Sequence, residues 1–369
     1  MGDKNGKNEK KINDNIIKMK NESNEDNNNK VPLKVSETNP QINFKIFKII
    51  TNEASDNQFD NSCITFKSID NILFLIYSNE NYSIFCYNLI NFQLVNEIKK
   101  AHSSFIVNFR HFYDKNNSRD LIISVSSGDN NIKLWQFCKW ECLCDYRDIN
   151  SRDYLFSACF LNHKNQLYVL SSNYTNNFIP EPIKVFDLKG KKISEIKNSR
   201  KAVFLIDTFY DEELLTDYIV TANDDVVISY NFNKNDIYFK YDYKKSYPKI
   251  IHFSLIVKKI NNSVKIIESG WDGYIRIWEF HTGKLLNEIK LNDSYLNGVN
   301  LLDNKYILIG CRKALITFID LDSLEIIKEL AGHKDNVIDI KIVNHIKYGK
   351  CILSKGYGGE IIFWTSNKK

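Results

Sequence analysis

From about residue 42 onward the chain alternates short apolar runs with polar turns. The runs are strand-length: "ILFLIY" at 72–77 is six residues, and "YIRIW" at 274–278 is five. Asn, Asp, Gly and Ser fill the gaps between them, the residue types that turns select. A 3.6-residue apolar period of helical length is nearly absent. The best helical candidate, "DEELL" at 211–215, is one turn long. The pattern predicts an all-β chain.

One stretch sets the unit. Ser269–Lys284 reads "SGWDGYIRIWEFHTGK", a turn, a tight apolar strand ending in tryptophan, and a second turn. It returns closely as "SGDNNIKLWQF" at 127–137 and "SKGYGGEIIFW" at 354–364. Weaker copies are "NYSIFCYNL" at 81–89, "PEPIKVFDLKGK" at 180–191, "NDDVVISYNF" at 223–232 and "RKALITFIDLDS" at 312–323. The residues in the tryptophan position are then Tyr87, Trp135, Phe186, Tyr230, Trp278, Ile319 and Trp364, spaced by 48, 51, 44, 48, 41 and 45. A self-similar period of about 40–50 residues holding four strands is the mark of propeller blades, and seven fit this length. The last unit ends just after Trp364 with three strands. The start supplies a spare one, "INFKIFKII" at 42–50, whose pairing beside the last blade would close the ring and cover an open edge.

These units resemble the WD40-repeat family, whose repeats run from a Gly-His pair to a Trp-Asp pair. Gly332-His333 in "LAGHKDNVIDI" carries the first pair, and Ala101-His102 in "KAHSSFIVNF" carries a degenerate copy. Trp135-Gln136, Trp278-Glu279 and Trp364-Thr365 stand at the other end. The resemblance covers roughly 42–369 and implies a seven-bladed propeller spanning 41–369. It also implies a buried hydrogen-bonded chain of histidine, a strand hydroxyl, an Asp and the tryptophan Nε1, stable only when every member is satisfied. By position the second repeat keeps His102, Asp129 and Trp135. The fifth keeps Asp272 and Trp278 without a matching histidine. The last keeps His333, Ser354 and Trp364, with Gly358 where the Asp belongs. On this reading no blade holds the complete chain.

Composition narrows the function classes. Residues 1–40 are polar, mixed in charge and free of aromatics, which predicts a disordered tail. Gly2 is followed by Gly6 where myristoylation wants Ser or Thr. Apolar runs fall short of the roughly 20 residues of a membrane helix, and no secretory signal pattern is seen, so the expected location is the cytosol, with the nucleus left open. Eight cysteines in 369 residues then suggest no disulfide framework. A net charge of +5 amid general Lys and Asn richness makes nucleic acid an unexpected partner and leaves an RNA-associated propeller as a rival, marked by a steep salt dependence of binding.

Candidate chemistry is sparse. Cys138, Cys142 and Cys144 in "FCKWECLCDY" lack a fourth ligand, and Cys142 and Cys144 share one face of an outer strand, so no metal is expected. "GYGG" at 356–359 precedes a strand and not the helix a phosphate loop needs. No histidine stands in a signature with a nucleophile. Neither a catalytic residue nor a cofactor is therefore expected.

Binding is the better expectation. In the resembled family partners meet the face made by the loops joining the second to the third strand of each blade, and each blade to the next. Here those loops bring Phe105, Asn173, Tyr174, Trp271, Arg312, Lys313, Lys355 and Tyr357, aromatic and cationic types that dominate interface energetics. The long connection "SNYTNNFIPEP" at 172–182 adds Phe178, and reads either as a partner loop or as one folded over its own blade. The resemblance thus implies a non-catalytic scaffold for protein partners in a larger complex. A phosphoinositide-binding propeller is a rival, with only Arg200-Lys201 and Arg312-Lys313 as basic pairs. A ubiquitin-ligase substrate receptor is a weaker one, since Cys138, His281 and Asn367, and no Arg or Lys, stand three residues after the tryptophans.

Overall fold

Among the residues that the computed structural model describes, twenty-eight strands assemble into seven four-stranded antiparallel sheets. The structure describes residues 42–51, 63–147, 153–175, 182–197, 203–223, 226–242, 252–291 and 295–366, all within the unit Val35–Lys369. The polar segment 1–40 and the loop tip with Phe178 lie outside the described residues. Among these residues no helix is long and apolar enough to cross a membrane. "DEELL" is the hairpin turn after the strand Val203–Asp211, held by the Asp211 carboxylate accepting from the Glu213 and Leu214 amides.

The sheets span 63–98, 106–147, 153–196, 203–242, 252–290 and 299–331, and the seventh joins 337–365 to the strand Lys45–Thr51. We number them blades 1–7 and letter their strands a to d from the innermost. The a strands of successive blades contact one another, and Val337–His345 of blade 7 meets Cys63–Lys67 of blade 1. The result is a seven-bladed β-propeller. The spare strand does close it: Lys45–Thr51 pairs antiparallel with Ile361–Thr365 as the outermost strand of blade 7.

Burial explains the sequence texture. Strands b and c are covered on both faces by neighbouring blades, so they are mostly apolar, as in Leu73–Ser78 and Ile361–Thr365, where every residue is buried. Strands d face outward and mix polar with exposed aliphatic residues, as in Gln93–Ile98 and Lys192–Ile196. Apolar clusters run continuously across the blade seams. One joins Leu75 and Tyr77 of blade 1 to Leu353 and Phe363 of blade 7.

The seven tryptophan positions are structurally equivalent even where the sequence copies are weak. In blades 1 to 6 the pairing of c with d slips by one residue immediately before Tyr87, Trp135, Phe186, Tyr230, Trp278 and Ile319. In blade 7 the slip lies in the closing strand, between Ile46 and Lys48, opposite Trp364. The extra residue lies on the outermost strand each time, so the bulge bends that strand opposite the bulky residue of strand c.

Candidate functional site: the loop face

The loops joining b to c and d to the next a share one face, which two complete hydrogen-bonded chains brace. In blade 2, Trp135 Nε1 donates to Ser124 Oγ (2.9 Å), His102 Nε2 lies 2.7 Å from that Oγ, and His102 Nδ1 lies 3.3 Å from Asp129 Oδ2. The carboxylate also accepts from the Ser103 amide at 2.9 Å. In blade 7, Trp364 Nε1 donates to Ser354 Oγ (2.7 Å), His333 Nε2 lies 2.6 Å from it, and Nδ1 lies 3.1 Å from Glu360 Oε1. The Lys334 amide donates to the same oxygen at 3.0 Å.

The expectation that no blade is complete is therefore corrected twice. Ser124 supplies the missing hydroxyl of blade 2. Glu360, two residues beyond Gly358, supplies the carboxylate of blade 7. A longer side chain reaches back to the site because glycines leave room. A Cβ on Gly356 would sit 2.5 Å from Glu360 Oε1 and 2.7 Å from His333 Nδ1, and one on Gly358 would sit 2.9 Å from Glu360 Oε2. The hydroxyl had a usable signal, since it follows the histidine by 22 residues in blade 2 and 21 in blade 7.

Protonation in these chains follows from which groups can donate. Tryptophan only donates and an ionised carboxylate only accepts, so a neutral His333 carries its proton on Nδ1 and accepts a hydrogen bond from the Ser354 hydroxyl at Nε2. Burial holds the His333 pKa below its ordinary value. Burial pushes Glu360 upward, but the Lys334 amide and His333 outweigh it and hold the carboxyl below the usual range. Blade 5 is built differently, and the pairing of Asp272 with Trp278 does not occur. Trp278 Nε1 donates to Glu268 Oε1 at 3.0 Å, whereas Asp272 pairs with the buried Arg276, whose Nε donates to Glu288 at 3.0 Å.

Above this frame the sequence-predicted residues separate. Trp271 and Arg312, 41 positions apart, are drawn together by Tyr295, which the sequence reading missed. The rings of Trp271 and Tyr295 meet edge to face at 5.0 Å, and the Arg312 guanidinium lies 5.0 Å from the Tyr295 ring centre. Lys313 is exposed beside them. Tyr357 is half-buried, and its amide donates to Asn336 O at 2.8 Å. Phe105 is half-buried against Tyr82, 5.3 Å edge to face. Asn173 and Tyr174 belong to strand b of blade 3, Gln166–Thr175, paired with Leu155 and Tyr154, so the first part of the long connection is strand. Lys355 is not on the surface. At 1% exposure, on strand b of blade 7, it is buried too deeply to meet a partner there.

A cavity of ≈ 660 Å³ opens at the seam of blades 1 and 2. Tyr82 and His102 line it, with Lys100, Lys133 and Arg147 supplying positive charge and Glu80 and Asp129 negative charge. The Lys133 ammonium donates to Ala101 O at 2.7 Å and lies 5.9 Å from the Trp135 ring centre, which fixes it in place. Its size is that of a site for a small ligand or a few peptide residues. Thus the loop face offers two stations, an aromatic and cationic cluster at blades 5 and 6, and a polar pocket at blades 1 and 2.

The three cysteines suggested by spacing do not form a centre. Cys142 Sγ donates to Cys144 O, and burial pushes all three thiols upward. Among the described residues no group of three or more His, Cys, Asp or Glu is placed to hold a metal. Set against known proteins, the chain matches no family model and no curated sequence.

Proposed function

We propose that this chain is a WD40-type propeller acting as a non-catalytic platform, which docks protein segments on its loop face within a larger cytosolic assembly. The observation that carries the reading is the cluster of Trp271, Tyr295 and Arg312, in which residues from two blades converge at the loop face. Aromatic and guanidinium groups held in place lose little freedom on binding, so most of the ordering cost falls on the partner. The pocket at blades 1 and 2 adds a second contact point, and its excess of ammonium and guanidinium groups suits an acidic segment.

Affinity purification with mass spectrometry from native cells tests this. The wild-type chain is compared with Trp271→Ala/Arg312→Ala and with Lys100→Glu, each verified folded by circular dichroism. A reproducible set of proteins that is depleted by the first variant supports the platform. A wild-type chain recovered alone, or a set untouched by either variant, contradicts it.

A further inference from the structure

The face opposite the loop face carries a set of histidine ties. His163 Nδ1 of blade 3 meets Asp217 Oδ2 of blade 4 at 2.7 Å. His281 Nε2 of blade 5 meets Asp211 Oδ2 of blade 4 at 3.0 Å. His111 Nε2 meets Asp120 Oδ1 within blade 2 at 2.7 Å, and the other oxygen of Asp120 accepts from the Ile69 amide of blade 1 at 3.0 Å. Each of these imidazoles has a carboxylate partner.

His345 is different. It ends strand a of blade 7 and reaches across the joint where the ring closes, its Nε2 lying 3.0 Å from Leu89 O in blade 1. Its Nδ1 accepts from the Lys347 and Tyr348 amides, at 3.1 and 3.2 Å. A carbonyl on one nitrogen and two N–H donors on the other permit one form alone, the neutral ring with its proton on Nε2. A second proton, on Nδ1, would point at two donors.

The surroundings give that proton no compensation. The imidazole is 3% exposed, between the rings of Tyr348 at 4.7 Å and Phe92 at 6.0 Å, with Phe363 at 5.7 Å. The charge acting on it is the Lys347 ammonium on its own turn; beyond Phe92, Lys48 of the closing strand places its ammonium 5.0 Å from that ring centre. The other titratable neighbours are two phenols, Tyr87 and Tyr348, and the Cys351 thiol, all in the same apolar cluster. Among the described residues His345 has no carboxylate partner. Phe47 of the closing strand packs on Tyr348 at 4.5 Å and on Phe92 at 5.5 Å, so this tie also backs the strand that seals the ring.

We propose that His345 makes the joint between blades 7 and 1 an acid-sensitive latch, shut while its ring is neutral and released when Nδ1 takes up a proton. Burial and the Lys347 charge both press its pKa down, outweighing the Leu89 carbonyl. Opening therefore takes up a proton. Below the ordinary histidine value of about 6.5, the opening equilibrium rises about tenfold per pH unit until the closed form itself protonates.

Hydrogen–deuterium exchange by mass spectrometry on the full chain, corrected for intrinsic exchange, tests the latch. Between pH 7.4 and 5.4, peptides covering 45–51, 89–92 and 345–348 should lose about tenfold in protection, while 163–175 and 216–223 hold theirs. In His345→Gln, whose amide can donate to Leu89 O without titrating, that local loss should vanish. Retained protection at the joint in wild type, or the same acid loss in His345→Gln, overturns the proposal. Should the variant not fold, the wild-type map decides alone: loss spread evenly over the seams, or none at the joint, overturns it.

Discussion

Two serines carry more of this molecule than their size suggests. Ser124 and Ser354 are fully buried, and each stands between a tryptophan and a histidine. Ser→Ala at either leaves an indole N–H and an imidazole nitrogen without a partner. The expected cost is about 1–3 kcal/mol of stability, read as a lowered urea midpoint, because a buried polar group left unmatched loses its full solvation. Gly356→Ala attacks the same chain by crowding, since its Cβ would overlap both Glu360 and His333. It should destabilise blade 7 at least as much as Ser354→Ala. The titration of this chain has a definite sign. His333 is held below its ordinary value, so the unfolded state gains a proton first as pH falls below about 6.5. Glu360 and Asp129 are also held low, by hydrogen bonds that outweigh burial, and they add a second loss below about 4.5. Thermal midpoints measured from pH 7.5 to 4 should fall in both windows. A midpoint that rises on acidification would contradict the assignment.

At the scale of elements, repetition was legible and reach was not. The alternation of apolar runs and turns, with its period near 45, identified seven blades and the closing strand because both are set by local pattern. The tryptophan position was readable even at Ile319, where the chemistry is lost and the backbone bulge remains. Glu360 was missed because a carboxylate from two residues further on replaces Asp, which no fixed spacing anticipates. Tyr295 was missed because it meets Trp271 and Arg312 only once blades 5 and 6 are adjacent. Lys355 was misplaced on the surface because the strand carrying it continues two residues past Ser354, through buried surroundings, to Gly356. Turn richness in asparagine has a direct reading. Asn71, Asn130, Asn165, Asn235, Asn261 and Asn304 all take positive φ, where Asn is tolerated better than other side chains. Deleting residues 1–51 removes the outermost strand of blade 7 and uncovers the edge of Ile361–Thr365. The truncated chain should lose its cooperative melt and aggregate, checked by differential scanning calorimetry and light scattering.

For the whole molecule, the two faces carry different work. The loop face gathers Trp271, Tyr295, Arg312 and the pocket at blades 1 and 2, whereas the opposite face is occupied by ties between blades. Lysines sample both. Lys100, Lys313 and Lys334 are exposed on the loop face, and Lys115, Lys164, Lys234 and Lys347 on the other. Cross-linking mass spectrometry of the native assembly with an amine-reactive reagent therefore tests the platform account directly. Partner cross-links concentrated on Lys100, Lys313 and Lys334 are the predicted result. Partner cross-links confined to Lys115, Lys164, Lys234 and Lys347 would contradict it and place docking on the face that holds the ring together.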